Sequence, residues 1–479
     1  MKKKVGIIGF GFTGTMLASH LIDKSDFPFE LIIVDKLENF NVGVAFKTYS
    51  NEHILNVVAG KMSAYKDDPS HFVKWLGETR WIEAEAIDIK DRFLSRNVYG
   101  KYIQSIWEKS ENEAIVKNIK IKTFHDLVDS FDLEKDGSTT IFLKQGEIIS
   151  VDYCIIATGN NSPLNLEIGN ASFYRNENYF QNPWNKEVVE NLRDDHPVLI
   201  IGNGLSMIDT LLGLLEKQYK GKIISISPNG NGLRFIPNIP NDSEYLELTN
   251  ELDSEIDLLS VIKLLKKHFL KNSDSEITKR LIIDSLRPHA KRIWRGFNNR
   301  DKQIFLRYFK SIWNYLRHRV PLDVYRKINQ LHDEKRLEIK SGKILDFIEN
   351  DSFIEVKYFD KKNGKEETIN VSRVINCTGP GADFMKYEEN ILKKAKEKGY
   401  LSQDDLKLGI KTNIENYRII NSFEANNLFT LGINLKGEIF ESTAVAELRA
   451  QAEQCANEIV KCIQNDVTEK MLDYNSYLK

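Results

Sequence analysis

The sequence predicts an α/β protein of two nested Rossmann-like dinucleotide-binding domains with a mostly helical insertion. Two apolar strands empty into glycine-rich turns, one beginning at Gly9 and one at Gly202. Two further apolar strands stop at Thr-Gly, at Thr158-Gly159 and Thr378-Gly379. Between the second turn and the second Thr-Gly, charges are segregated and apolar residues recur at helical spacing.

The first element is the strand Val5 to Ile8, followed by Gly9-Phe10-Gly11-Phe12-Thr13-Gly14 in Gly-x-Gly-x-x-Gly spacing. Gly9 permits the tight turn, Gly11 lets the backbone approach a pyrophosphate, and Gly14 lets the next helix pack on its strand with its N-terminus facing the anion. A second strand, Glu30 to Val34, ends in Asp35 about 21 residues beyond Gly14, where an acid holds ribose hydroxyls. The plainer alternative is a glycine turn without a ligand. Lys2, Lys3 and Lys4 before an apolar run imitate a secretory signal, but removing that run would delete the first strand. No stretch approaches the roughly 18 apolar residues of a spanning helix, so the expected location is cytoplasmic.

Pro197 to Asp209 repeats the strand, turn and helix, with Met207 in place of the third glycine. Gly202, Asn203, Gly204 and Ser206 are the expected contacts to a second nucleotide. The following strand, Lys222 to Ser227, ends without an acid, and the Ser227 hydroxyl leans toward NADPH over NADH. A structural Rossmann unit that has lost its ligand is the alternative.

Each Thr-Gly strand follows an alternating pair of segments around a glycine. The first pair is 138–143 and 147–151 about Gly146; the second is 353–358 and 367–371 about Gly364. The repeat predicts two related halves, one nested in the other. The expected boundaries are 1–195 and 374–479 for the first domain, 196–230 and 346–373 for the second, and 231–345 for the helical insertion.

A chain of 479 residues holds two or three domains. Lys+Arg 67 against Asp+Glu 69 gives a formal charge of -2, which argues against nucleic acid or a membrane as partner. Cys154, Cys377, Cys455 and Cys462 show no Cys-x-x-Cys spacing, so neither a dithiol centre nor a metal site is expected.

Asn241 to Ser260 carries seven acids and no Lys or Arg, whereas Arg287 to Arg319 carries ten Lys or Arg against Asp301 alone. Pairing between two solvated faces accounts for this. Planar donors among aromatic rings, at Arg287, His289, Arg292, Arg317 and His318, also suit carboxylates or phosphates, either on NADPH or on an acidic substrate.

With these motifs in order, the chain resembles the two-dinucleotide-binding-domain flavoproteins, which include flavin monooxygenases and pyridine-nucleotide reductases. It is most similar to a bacterial FAD/NAD(P)-binding family that includes YdhS-like proteins and amino-acid N-hydroxylases of the nitrosuccinate-forming type. The residues that carry this are Gly43-Val44-Ala45-Phe46, His53 to Val57, Lys61 to Ala64, Asp67 to Phe72 with Trp75, and Gly437 to Val445. The resemblance implies FAD at the first turn, with Gly9, Gly11, Phe12, Thr13 and Gly14 on the pyrophosphate, Asp35 on the ribose and Lys36 beside the adenine. It places Asn56, Met62 and Ser63 beside the isoalloxazine, unless these form an ordinary turn and core patch. Thr158, Gly159 and Gly432 belong to the strands that return to FAD; the usual aspartate after that last glycine is Ile433 here, leaving backbone or Asn434 to meet the ribityl chain. Ser442 or Thr443 is expected to N-cap a helix from Ala444 to Ile463, aimed at the flavin.

The resulting expectation is a FAD-dependent, NAD(P)H-using monooxygenase that N-hydroxylates a small amine or amino-acid-like substrate with molecular oxygen. Two alternatives stand beside it: an NAD(P)H-flavin oxidoreductase with another acceptor, and a non-catalytic FAD-binding sensor. No catalytic residue is legible, because oxygen activation at a flavin needs a dry pocket more than an acid-base side chain.

Overall fold

The computed structural model describes residues 2–81, 89–230, 245–252, 256–318, 320–423 and 427–477. They form two compact units, one of 1–47, 57–160 and 382–479, the other of 48–56 and 161–381.

In the first unit the strand Lys4–Ile8 lies between two parallel neighbours, Glu30–Val34 and Tyr153–Ile156, with Gly6 opposite Ile32 on one side and Cys154 on the other. Lys120–Phe124 and Leu428–Thr430 extend the parallel core outward. Short antiparallel strands, Arg418–Ile419 and Thr412–Asn413, finish one edge. The central strands read as continuous β-branched runs because both of their faces are covered. On one face Ile8, Ile32, Val34, Cys154 and Ile156 pack against Val128, Phe131 and Ile141 of a three-stranded antiparallel sheet, Val128–Leu133, Thr139–Leu143 and Ile148–Val151. The last two strands are the first expected hairpin, turning at Gly146 with φ +96°. Elsewhere in this unit the helix Phe12–Lys24 packs against the helices Arg96–Val116 and Val445–Tyr477.

The second unit repeats the plan. Val198–Ile201 lies between parallel Ile223–Ser227 and Arg373–Asn376, with Leu337–Glu349 beyond the former and Tyr179–Phe180 beyond the latter. Leu337–Glu349 passes an irregularity between Ile344 and Asp346 and continues as an antiparallel partner of Ile354–Asp360, which pairs in turn with Lys365–Val371. These last two strands are the second expected hairpin. Alternate residues face opposite cores, as period-2 geometry requires: Val198, Ile200 and Ile223 to one side, Leu199, Ile201 and Ile224 to the other.

Several stretches lie elsewhere than the expected boundaries: residues 48–56 belong to the second unit, and Leu337–Glu349, which begins inside the expected insertion, is a strand of the second sheet. Residues 161–195 and the strand Arg373–Asn376 belong to the second unit, and the chain re-enters the first only at Ala382. Arg373 supplies a physical reason: its buried guanidinium donates to the carbonyl oxygens of Val188 (2.7 Å) and Glu190 (2.8 Å), tying that loop to the second sheet. Both Thr-Gly strands are alike in composition, so sequence does not say which parent strand each pairs with.

Between 245 and 333 the described residues of the insertion are mostly helical. Leu258–Lys271, Glu276–Leu286 and Asn299–Ile304 begin at Asp257, Ser275 and Asn298, whose side chains accept from Ser260 N, Thr278 N and Asp301 N at 2.9 to 3.1 Å. The last of these helices continues through a π turn, Phe305–Phe309, into Lys310–Arg317. Acids of the acidic run pair with lysines nearer in sequence than the basic run: Glu251 with Lys267 and Glu247 with Lys271, both at 2.7 Å. Asp242, Glu244, Asp253 and Glu255, and Arg319 of the basic run, lie outside the described residues.

Candidate functional sites at two glycine turns

The first turn is built by crowding. Gly9 has φ +94°, a left-handed conformation that favours glycine, and a Cβ there would collide with the Ala157 carbonyl oxygen. A Cβ on Gly14 would collide with the Gly9 carbonyl oxygen, so strand and helix meet backbone to backbone. Gly11 is the N-cap of Phe12–Lys24, without a side-chain cap and with no acid in the first turn. A Cβ on Gly11 would sit 3.2 Å from the Cα of Gly43, another glycine. The helix start is thus bare backbone N–H, the arrangement that attracts an anion. Phe12 is buried, and Thr13 Oγ1 is 3.7 Å from where a Cβ of Gly432 would lie.

Asp35 is tied to this turn, as its Oδ2 accepts from Phe10 N at 2.6 Å and its Oδ1 from Lys36 N at 2.7 Å. Burial pushes its pKa up, and those two N–H donors pull against that shift. Lys36 is exposed beside it. Thr158 and Gly159 are exposed just after Tyr153–Ile156, with the Thr158 backbone next to Gly9.

Met62 and Ser63 are buried in the first unit, and exposed Asn56 belongs to the second. Gly432 has φ +72°, and its N–H donates to Gln451 Oε1 at 2.9 Å. Asn434 turns inward, its Nδ2 donating to Thr430 Oγ1 at 3.0 Å, so it is not a free ribityl contact. The expected cap is corrected too. The helix begins at Val445, and it is the Ala444 carbonyl that accepts from Leu448 N (2.9 Å); Thr443 is exposed and Ser442 is buried upstream of the cap.

Sequence reasoning missed three residues that organise this region. Gln451 links Gly432 to the Ser442 carbonyl, Arg449 Nη1 donates to the Ser63 carbonyl at 2.6 Å, and Tyr102 accepts from Ala64 N at 3.1 Å. Their signal was a polar residue on the buried face of a helix, which is visible only once the face is known.

The second turn has the same construction around Gly202. It has φ +98°, and a Cβ there would come within 2.7 Å of the Cys377 carbonyl oxygen, the counterpart of Ala157. Gly204 caps the helix Leu205–Glu216 without a side-chain bond, and a Cβ on it would meet no atom of the described residues within 4 Å. Asn203 and Ser206 are half-buried on the turn, and Met207 is buried. Ser227 is buried, and its Oγ accepts from Gly230 N at 3.1 Å, closing its own turn. Behind the helix, the His53 ring packs on Tyr49 and Trp184, with Nε2 3.0 Å from the Asp209 carbonyl oxygen.

Among the basic candidates, the structure brings Arg287, Arg317 and His318 together. Burial first, then the charges of Arg317 and Arg287, push His318 down to about 4. His289 shares the short turn Arg287–His289, and Arg292 is exposed on the next helix, Ala290–Gly296. The folded chain therefore holds His318 neutral at pH 7, while the unfolded chain protonates it near its ordinary value of 6.5. Stability from this group is present above about 6.5 and is lost as pH falls toward 4, by about 3 kcal/mol in the limit. Denaturant midpoints from pH 7 to pH 4 should fall less steeply in His318→Gln than in the native chain; parallel curves would contradict this.

A family model described as FAD-NAD(P)-binding matches residues 6–161. No curated protein matches the chain in sequence. Among solved structures, it is similar to the ornithine N-hydroxylase of Kutzneria sp. 744, with TM-score 0.65, 14% identity, and 97% of this chain and 100% of that one covered. It is similar also to L-lysine 6-monooxygenase from Pseudomonas syringae, with TM-score 0.64, 13% identity and coverage of 97% and 99%. A bacillithiol disulfide reductase from Bacillus cereus matches with TM-score 0.54, 12% identity and coverage of 96% and 99%. The chain thus carries a segment matching the FAD-NAD(P)-binding family over residues 6–161, within the fold of the two-dinucleotide-binding flavoproteins.

Proposed function

We propose that this protein is a FAD-dependent, NAD(P)H-using monooxygenase that N-hydroxylates a small amine or amino-acid-like substrate. The observation that carries the proposal is the pair of glycine turns. Each has a left-handed first glycine packed on the carbonyl of a return strand, and each opens a helix whose first turn is bare of acids. A phosphate-bearing ligand fits that chemistry at both places.

Bound there, FAD supplies the electron-accepting and oxygen-activating chemistry and NAD(P)H the hydride. The backbone N–H groups at Gly11 to Gly14 hold the pyrophosphate, and Asp35 fixes the loop through Phe10 and Lys36 while facing the ribose. Lys36 flanks the adenine, and Met62, Ser63, Thr158, Gly159 and Gly432 border the rest of FAD. Asn203, Gly204 and Ser206 hold the second pyrophosphate. Arg287, Arg317 and the neutral His318 bind the carboxylate of the substrate.

The hydroxylase reading is supported by the ornithine enzyme, whose structure carries FAD, NADP+ and L-ornithine, and by the lysine monooxygenase. The cysteines disfavour disulfide reduction. All four are free, Cys154 and Cys377 are buried and pushed up to about 12, and Cys455 is buried as well. Such thiols are not nucleophiles at neutral pH.

Aerobic turnover with NADPH across a panel of amino acids and diamines tests the reaction. One compound should yield its hydroxylamine in step with NADPH consumed. Hydrogen peroxide in place of hydroxylamine from every compound would favour the oxidoreductase alternative.

A further inference from the structure

The first unit contains a continuous line of oxidisable side chains. Trp81, 47% exposed, stacks on Trp75 with ring centroids 6.3 Å apart. Trp75 lies 5.5 Å from Tyr102, and Tyr102 lies 5.4 Å from Tyr99. Each step is a direct aromatic contact. Both tyrosines are fully buried, so the line runs from solvent to the interior. Its inner end lies behind the segment Ser63 to Ala64: Tyr102 accepts from Ala64 N, and Arg449, which donates to the Ser63 carbonyl, bears on Tyr99.

The two tyrosines differ in one respect that matters for electron transfer. Oxidising a phenol makes its proton strongly acidic, so a buried tyrosine gives up an electron readily only if a base takes that proton. Tyr99 has no hydrogen-bond partner for its hydroxyl. The Tyr102 hydroxyl lies 2.8 Å from His71 Nδ1. Because Ala64 N already donates to the Tyr102 oxygen, we assign the phenol hydrogen to the bond with Nδ1. Burial holds His71 below its ordinary pKa, which keeps its ring neutral and able to accept. Phe12, Phe46 and Phe72 fill the same aromatic core, so bulk alone does not call for the Tyr102–His71 bond.

We infer that Trp81, Trp75 and Tyr102, with His71 as proton acceptor, form a one-electron path between solvent and the interior behind Ser63 and Ala64. One electron leaves Tyr102 for a one-electron oxidant, of which photoexcited oxidised flavin is the chemical class inside the protein. The O–H bond breaks and its proton moves to His71 Nδ1, leaving a phenoxyl radical beside an imidazolium. An electron from Trp75, replaced from Trp81, then restores Tyr102 as the proton returns from His71. A thiol in solution refills Trp81 by giving one electron and releases its own proton to the solvent, and two of the resulting thiyl radicals join as a disulfide. The path goes beyond the proposed hydroxylation; only its inner terminus rests on Ser63 bordering the flavin.

Flash-quench oxidation of the purified holoprotein with photogenerated tris(bipyridyl)ruthenium(III), read by electron paramagnetic resonance and transient absorption, tests the path without using the flavin. A phenoxyl signal should form in the native chain and disappear in Tyr102→Phe. It should form about tenfold more slowly in His71→Phe and likewise in His71→Gln, whose amide can keep a hydrogen bond but cannot take the proton. In Trp81→Phe, a surface change that leaves the fold intact, its yield should fall about tenfold. Equal signals in the native chain, Tyr102→Phe and Trp81→Phe would overturn the path. Exciting bound flavin with blue light is the second arm. The same phenoxyl signal there supports the inner terminus, while a signal with ruthenium alone keeps the path and overturns the placement of Ser63 beside flavin.

Discussion

Gly204→Val is expected to leave flavin content and folding unchanged while slowing reduction by NADPH about 100-fold, a loss of about 2.7 kcal/mol of binding. The backbone at Gly204 has φ -87° and ψ -162°, a conformation that valine adopts without strain. Among the described residues no atom lies within 4 Å of its Cβ position, so the first atom of the new side chain stands in open space. What it occupies is the space in front of the helix Leu205–Glu216, where a pyrophosphate would rest on bare N–H groups. Stopped-flow absorbance at several NADPH concentrations checks this. Reduction kinetics equal to those of the native chain would mean that the second turn is not the nicotinamide nucleotide site.

Gly11→Val is expected to purify with less than about one tenth of the native flavin, since about 1.4 kcal/mol suffices for a tenfold loss. Here the substitution acts twice. Its Cβ would lie 3.2 Å from Gly43 Cα, tighter than ordinary contact, and overpacking of that kind costs about 1–3 kcal/mol. Its methyl groups also enter the space over the helix start, where backbone alone now stands. Comparing the thermal midpoints of flavin-free native and variant chains separates the two effects. A variant that remains stoichiometrically yellow would contradict the assignment of FAD to this turn.

The elements readable in advance were those specified by local pattern. Gly9 and Gly202 stood out because left-handed backbone after an apolar strand needs glycine, and both hairpins followed from alternation around Gly146 and Gly364. What local pattern does not encode is partnership. Arg373–Asn376 and Tyr153–Ile156 look alike as sequences, yet one closes the second sheet and the other the first. Ser442 and Thr443 are good capping residues by type, but the helix starts after Ala444 because the chain between Gly432 and Val445 is tied to Gln451. Among the basic candidates, the fold brings Arg287 and Arg317 beside His318, a grouping that the mixed run of Arg, His and aromatic residues named only together with His289 and Arg292. Gln451, Arg449 and Tyr102 were invisible beforehand, since their roles depend on which carbonyl or N–H the fold leaves beside them.

Two nucleotide sites that exchange electrons are the centre of this account, and anaerobic mixing of the purified chain with NADPH and then NADH tests them most directly. Bound flavin should bleach with at least one of the two, and faster with NADPH. A chain that carries no flavin, or whose flavin stays oxidised with both nucleotides, would contradict it.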